Sequence, residues 1–282
     1  MQIVDLSQVM ISNFMQQVGG HTNIEIDEGL MRHMVLNSLR SYNVKFREEY
    51  GEMIIACDDK QNWRKTIFPY YKANRKRSRE DSDIDWNALF SAMNVIKSEL
   101  KEYFSYRVIQ VEGSEADDII GTLVKEKSRQ EKILIISDDK DYRQLQVYPN
   151  VKQYSPIKKT FVVEENPQRY LKEHIIRGDS GDGVPNILSP DNSFVASIRQ
   201  KPIRQVNVDK WVNMEPEDFC DEQQLINYKR NKILVDLSST PDYIQKEIMK
   251  QYEEQTGKKG NKLFGFFVEK KLKHLMTDIS DF

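Results

Sequence analysis

The sequence predicts an α/β fold, a central, mostly parallel sheet flanked by helices, with a smaller helical domain after it. Three observations carry this. Gln2-Ile3-Val4, Met53-Ile54-Ile55-Ala56-Cys57 and Ile133-Leu134-Ile135-Ile136 are short runs of the kind that form strands buried on both faces. Helical patterns alternate with them, as in wound α/β sheets. After about residue 165 the character shifts to helical pieces broken by Pro185, Pro190, Pro202 and Pro216.

Taken in order, a strand over 2–5 precedes a polar segment from Ser12 to Asn23. A helix is expected from about Glu25 to Glu49, with Leu30, Met34, Leu36, Leu39 and Val44 as its apolar stripe. A strand over 52–57 leads into a basic segment, and Asp85 to Phe104 reads as a second amphipathic helix through Leu89, Met93, Ile96 and Leu100. Tyr106 to Val111 is strand-like. Ser114 offers an N-cap, with Asp117 three places on, for a helix over Glu115 to Glu126. A strand over 132–137 follows, then a short helix near Asp141. Lys152–Tyr154 and Thr160–Val163 flank Ser155-Pro156-Ile157-Lys158-Lys159 as an edge hairpin. Two domains are therefore expected, 1–165 and 166–282.

At 282 residues the chain has room for a substantial core. Its 39% hydrophobic and 30% charged content is that of a soluble globular protein. No apolar stretch approaches the roughly 20 residues that span a bilayer, and no basic and apolar leader precedes the first strand. Cys57 and Cys220 make neither a disulfide framework nor a cysteine-rich zinc site, and the four histidines lack zinc-hydrolase spacing. A reducing cytoplasm is the expectation.

The acids carry the chemistry. Asp5, Asp58, and Asp139 with Asp141 each follow the end of an apolar run; Glu115-Ala116-Asp117-Asp118 opens a helix, and Gly178-Asp179-Ser180-Gly181-Asp182 lies farther on. Singly, each suits a helix start or a turn. Jointly, carboxylates at three strand ends and a helix start fall on the edge where α/β sheets bind ligands. They would repel unless a cation sat among them, and oxygen-only donors point to magnesium or manganese. The net charge of −2 hides a local excess of base: Lys60, Arg64, Lys65, Lys72, Arg75, Lys76, Arg77 and Arg79 come without one acid among them. Trp63, Phe68, Tyr70 and Tyr71 are interleaved, which suits phosphate neutralisation and base stacking. Trp63 and Phe68 are expected to be structural.

Five motifs occur in a telling order: Ile3-Val4-Asp5, Pro69-Tyr70-Tyr71-Lys72-Ala73-Asn74-Arg75, Glu115-Ala116-Asp117-Asp118, Ile136-Ser137-Asp138-Asp139-Lys140-Asp141 and Gly178-Asp179-Ser180-Gly181-Asp182. The set resembles the structure-specific 5′-nuclease family, the flap endonucleases and the 5′-exonuclease domains of bacterial polymerases, whose fold is PIN-like. Size and carboxyl-terminal half, through Tyr228 to Asp236 and Lys262 to Phe282, most resemble the branch of T-even bacteriophages that has ribonuclease H activity.

The resemblance implies hydrolysis of phosphodiesters from the 5′ end by two divalent ions about 4 Å apart. Carried over by position, Asp5, Asp58, Glu115, Asp117 and Asp139 would surround the first ion, and Asp118, Asp141 and Asp182 the second, directly or through water. Asp179 suits either the cluster or a turn. The basic segment, about 60–84, matches the family's arch over a single-stranded 5′ end. Arg64 and Lys72 would reach the scissile phosphate, Tyr71 would stack on a base, and Arg75, Lys76 and Arg77 would bind nucleic acid. Arg64, Phe68, Tyr71 and Arg75 would share one helical face, with Pro69 a break point. The family's glycine-rich hairpin for duplex phosphate is not matched by Gly183-Val184-Pro185-Asn186-Ile187-Leu188, so Arg199, Lys201 and Arg204 are expected to bind duplex by side chain.

The implied function is removal of RNA primers from lagging-strand fragments in phage replication, in the host cytoplasm. The substrates would be DNA and RNA–DNA hybrid with a 5′ end, flap or nick. Mg²⁺ would be the cofactor, with Mn²⁺ able to replace it. A monomer is expected, with a replication clamp and a single-strand-binding protein as candidate partners. The competing readings are a DNA-binding module without activity and a PIN-like ribonuclease. The first needs acids replaced that are all present, and the second accounts for neither the long basic segment nor the second helical region.

Overall fold

A computed structural model describes residues 1–18, 26–260 and 262–282. Six strands, β1 (Gln2–Asp5), β2 (Met53–Ala56), β3 (Arg107–Ile109), β4 (Ile133–Ile136), β5 (Val151–Ser155) and β6 (Thr160–Val162), form one sheet in the order β3-β2-β1-β4-β5-β6. All neighbours are parallel except β6, which closes the edge hairpin against β5. The order reverses at β1, and the register there sets Val4 between Ile55 and Ile136. Asp5, Asp58 and Asp139 consequently leave the sheet at one edge, beside the point where the winding changes direction.

Side-chain alternation along each strand builds two cores. Val4, Ile55, Leu134 and Ile136 face one layer, with α1 (Leu6–Val18), α2 (Glu28–Tyr50) and α5 (Trp86–Tyr103). Ile3, Ile54, Ile133 and Ile135 face the other, where α6 (Ala116–Lys127) packs. Between α2 and α5, the short helices α3 (Arg64–Ile67) and α4 (Asn74–Glu80) lie in the basic segment, broken at Pro69 as expected. A 3-10 turn, Lys140–Val147, stands where the short helix near Asp141 was expected.

Several expectations are corrected. The polar segment from Ser12 is in fact the second half of α1, which starts directly after Asp5 and buries Val9, Met10 and Phe14; residues 19–25 lie outside the described residues, and with them the expected helix start at Glu25. Asp27 caps α2 instead, accepting the Leu30 N–H at 3.0 Å. The buried stripe of α2 runs through Met31, Val35, Leu39, Phe46 and Tyr50, while Leu30 and Val44 are exposed. Leu36 and Leu39 are buried as expected, and Arg32 and Asn43 share the buried face. α6 is capped one residue later than expected, by Glu115, whose N–H donates to Asp118 Oδ2 at 2.9 Å.

Beyond β6 come α7 (Pro167–Arg177), α8 (Gln205–Trp211), α9 (Pro216–Phe219) and α10 (Glu222–Val235), whose apolar residues form a small core of their own. α11 (Asp242–Glu254) returns to α6 through Ile244 and Ile248. α12 (Leu263–Glu269), α13 (Lys273–Met276) and the chain end pack on the opposite layer. Phe282 lies 5.6 Å from Phe104 and 5.3 Å from Phe267, and Arg40 pairs with Asp278 at 2.6 Å, so the last residues are anchored. Among the described residues no helix is long and apolar enough to cross a membrane.

Candidate active site

The carboxyl edge of the sheet floors an open cleft of about 1170 Å³. Asp5, Asp58, Glu115, Asp117 and Asp139 line it, five of the eight acids expected to bind metal. Lys65, Lys72, Arg75, Lys76 and Arg79 from the basic segment also line it, as do Met10, Ile11, Trp86 and Phe90, with the Arg79 guanidinium stacked on the Trp86 and Phe90 rings.

Each acid is held by a local device. Asp5 accepts the Gln8 N–H at 3.1 Å at the start of α1, and Asp58 accepts the Ala116 N–H at 2.8 Å at the start of α6. Asp139 accepts the Asp141 N–H at 2.9 Å. The Tyr142 hydroxyl lies 2.5 Å from Asp117 and 3.2 Å from Asp5, coupling the two; this residue was missed, although it follows Asp141 directly. Burial, then Asp58 and Asp139, pushes Asp5 up to about 7. Burial and the Asp139 charge likewise raise Asp117, and burial raises Asp139. Three acids that resist ionisation together, with oxygen donors only, fit a hard divalent cation.

Lys72 bridges the two halves of the site. Its ammonium pairs with Glu115 and lies 3.6 Å from Asp182, and its backbone takes the left-handed conformation at φ 56°. Burial works against ionisation of Glu115, but Lys72 and Arg64 outweigh it and hold the carboxyl down at about 2. Asp182 accepts Tyr71 at 2.8 Å and Arg75 at 2.5 Å, while the Lys72 N–H donates to the Asp182 carbonyl at 2.7 Å. Gly183, at φ 69°, permits this close approach, since a Cβ there would lie 2.9 Å from Asn74 Oδ1.

Three site expectations are corrected. Asp118 is fully buried and does not reach the cleft: Arg64 grips both its oxygens at 3.0 and 2.9 Å, with Trp63 at 3.2 Å and Thr240 at 2.7 Å. Its acceptor capacity is taken by the protein, which leaves none for a metal. Arg64 is equally enclosed, with Nε on the Leu234 carbonyl at 3.0 Å, so it is an internal brace and does not reach a phosphate. Tyr71 is 2% exposed, packed with Phe68, Val184 and Leu234, its hydroxyl on Glu115 at 2.9 Å; its ring is not open to a base. Trp63 and Phe68 are buried, in keeping with structural roles.

Asp141 does not line the cleft. It is buried toward His174, and burial with the Asp139 charge pushes it up to about 7. Asp179 is a turn residue, accepting the N–H groups of Gly181 at 2.8 Å and Asp182 at 3.2 Å. Burial opposes its ionisation, but the bonds from His174 and Lys140 hold it below the usual carboxylate range. His174 and Lys140 were missed: Lys140 lies inside the Asp139-Lys140-Asp141 motif, but its pairing is with Asp179, 39 residues on, and nothing beside His174 in sequence marks it.

Segment 183–190 is held by side-chain donors: the Asn231 amide and the Arg230 guanidinium donate to the Pro185 carbonyl, and the Asn227 amide to that of Ile187. Arg199, Lys201 and Arg204 are exposed beyond it. Lys76 and Arg77 are exposed too, with Arg77 reaching Ser197 at 3.2 Å.

Residues 1–175 match the family model for the 5′-3′ exonuclease N-terminal resolvase-like domain, and residues 167–282 that for the T4 RNase H C-terminal domain. Ribonuclease H of Enterobacteria phage T4 is 31% identical over 99% of this chain and 95% of its own length. A 5′-3′ exonuclease of Buchnera aphidicola (subsp. Schizaphis graminum) is 29% identical over 66% of this chain and 64% of its own. Among solved structures, bacteriophage T5 D15 flap endonuclease in a pseudo-enzyme-product complex with DNA and metal ions superposes at a TM-score of 0.65, with 16% identity, over 90% of this chain and 98% of the other. That likeness is one of fold.

Proposed function

The chain belongs to the 5′-3′ exonuclease family, with a carboxyl-terminal half of the T4 RNase H type, and from this premise we propose that it is a magnesium-dependent nuclease. It hydrolyses phosphodiesters from the 5′ end in RNA–DNA hybrid and in flapped or nicked DNA. The observation that carries the proposal is the convergence of Asp5, Asp58, Asp117 and Asp139 on the floor of a cleft that basic side chains also line.

Asp5, Asp58, Glu115, Asp117 and Asp139 are the residues to hold one divalent ion, with Asp141 and Asp182 assigned to a second. Such ions would supply a water of lowered pKa and neutralise charge on the leaving oxygen. Mg²⁺ suits the donors, and Mn²⁺ shares their oxygen preference. The remaining work belongs to the chain. Tyr142 orients Asp5 and Asp117 by its hydroxyl. Lys72 presents its ammonium at the junction of Glu115 and Asp182, where it meets charge developing on the phosphate. Arg75, Lys76 and Arg79 neutralise the strand entering the cleft, Arg77 extends that charge, and Arg199, Lys201 and Arg204 hold the duplex.

In this reading the protein removes RNA primers from lagging-strand fragments in the cytoplasm of a phage host. It acts as a monomer of two domains, 1–165 and 166–282, alongside a clamp and a single-strand-binding protein. The test is incubation of 5′-labelled RNA–DNA hybrid and 5′-flap DNA with Mg²⁺ or with chelator. The expected result is Mg²⁺-dependent release of short 5′-labelled products; intact binding with no release from either substrate would overturn the enzymatic reading.

A further inference from the structure

The helix α5 carries two adjacent stripes, and the hydrolytic reading uses neither. Leu89, Met93, Ile96 and Leu100 are buried in the core. Beside them, at about 100° per residue, Trp86, Phe90, Asn94 and Lys97 fall within an arc of about 80°. All four line the cleft. At about 1.5 Å per residue this second stripe extends about 16 Å, starting where the basic segment ends.

Its two ends differ in chemistry. Trp86 and Phe90 are half-buried against the core cluster, with ring centroids 5.7 Å apart. The indole N–H donates to Ser82 Oγ at 2.7 Å, which fixes the plane of the Trp86 ring. The Arg79 guanidinium lies 5.5 Å from the Trp86 centroid and 4.8 Å from that of Phe90, so a flat cation is stacked on the rings. At the far end, the Lys97 charge bears on the buried Cys57 thiol more than any other charge does, which sets its ammonium near the end of β2, beside Asp58. Neither Arg79 nor Lys97 has an acid within 4 Å among the described residues. Rings stack on bases of any identity, and cations without acids neutralise phosphates. A core stripe would be apolar along its whole length, and a merely solvated face would not hold two rings under an unpaired guanidinium.

We propose that this face of α5 is the track for the unpaired 5′-terminal nucleotides of the substrate, with a base stacked on Trp86 and Phe90 in place of the Arg79 guanidinium and a phosphate on Lys97. Arg79, once displaced, pairs with the phosphate of the stacked nucleotide. The track therefore accepts a 5′ end of any sequence but requires that its bases be present. The inference rests on the nucleolytic reading for its ligand, and its test is read by binding in chelator, apart from cleavage. Fluorescence anisotropy compares an ordinary 5′-flap DNA with one whose unpaired nucleotides are abasic. The wild type should bind the abasic flap about tenfold more weakly. Trp86→Leu and Phe90→Leu should weaken binding of the ordinary flap and no longer distinguish the two. Lys97→Gln, which leaves the rings and the core untouched, should weaken both flaps alike and lower the slope of log affinity against log salt by about 0.7. The wild-type comparison needs no variant and holds even where a ring variant fails to fold. Equal binding of the two flaps by the wild type, an abasic penalty that persists in both ring variants, or an unchanged salt slope in Lys97→Gln overturns the proposal. Flaps that bind as expected but are not cleaved with Mg²⁺ would overturn the hydrolytic reading alone.

Discussion

Arg64 lies across Asp118 with Nη1 and Nη2 3.0 and 2.9 Å from its two oxygens, and both side chains are sealed from solvent. The pair joins the basic segment to the start of α6, one residue away from the acid that faces the cleft. It therefore sets the site's geometry from behind. Asp118→Asn or Arg64→Ala should cost about 3–5 kcal/mol, because the remaining charge is left buried without its partner. Arg64→Lys should recover little, since an ammonium cannot bridge both oxygens. Chemical denaturation measures this, and a change under about 1 kcal/mol would show the pair to be dispensable.

Tyr71 acts through its hydroxyl and not its ring face, bonded as it is to both Glu115 and Asp182. Tyr71→Phe should lower kcat, raise KM little, and reduce stability by about 1–3 kcal/mol. A base-stacking residue would behave oppositely: Phe would be silent. Steady-state kinetics on a flap substrate separate the two.

Gly183 sits at φ 69° with Asn74 Oδ1 2.9 Å and the Tyr70 carbonyl 3.2 Å from where a Cβ would stand. Gly183→Ala should destabilise by about 1–2 kcal/mol from the backbone alone and loosen the base of the basic segment from Asp182. Cleavage should fall more than duplex binding does. Unchanged kcat would show that the contact between the two segments is incidental.

Stability of the metal-free protein should fall as pH rises from about 4 to 7. Asp5 and Asp141 have ordinary values of 3.8 and folded values of about 7, so across that window the native state holds protons that the unfolded chain has lost. His174 acts in the same direction: the bond to Asp179 outweighs burial and raises its value, so its contribution is present below 6.5 and is lost as pH climbs through the folded value. Glu115 acts in the opposite sense, its stabilisation complete only above its ordinary 4.5 and lost as pH falls toward 2, so it touches only the acid edge of this window. Added Mg²⁺ or Mn²⁺ should restore stability above pH 7 and do little at pH 5. Calorimetry at the two pH values tests this, and a Tm that rises with pH under chelation would contradict it.

Much of the site was legible because parallel strands aim their carboxyl ends at one edge, which fixes Asp5, Asp58 and Asp139 without knowledge of packing. Asp117 and Asp118 show where legibility ends. Adjacent residues on a helix point about 100° apart, so one faces the cleft and the other the interior. Which does which depends on Trp63, Arg64 and Thr240, brought in from 55, 54 and 122 residues away. The stripe of α2 was misphased for a similar reason, because its buried face also takes Arg32 and Asn43. Arg32 is covered by Glu99 at 2.6 Å, and Asn43 by the Asp281 carbonyl at 2.7 Å. Local hydrophobicity carries no trace of either partner.

The most direct test compares the wild type with Asp139→Asn on one 5′-labelled flap, measuring cleavage with Mg²⁺ and binding in chelator. Asp139 lines the cleft without any cationic partner from the protein within 4 Å among the described residues, so removing its charge should leave the fold and binding intact. Cleavage should fall by on the order of a thousandfold, with the dissociation constant within about twofold of the wild type. Cleavage at the wild-type rate would contradict the assignment of this acidic edge as the catalytic metal centre.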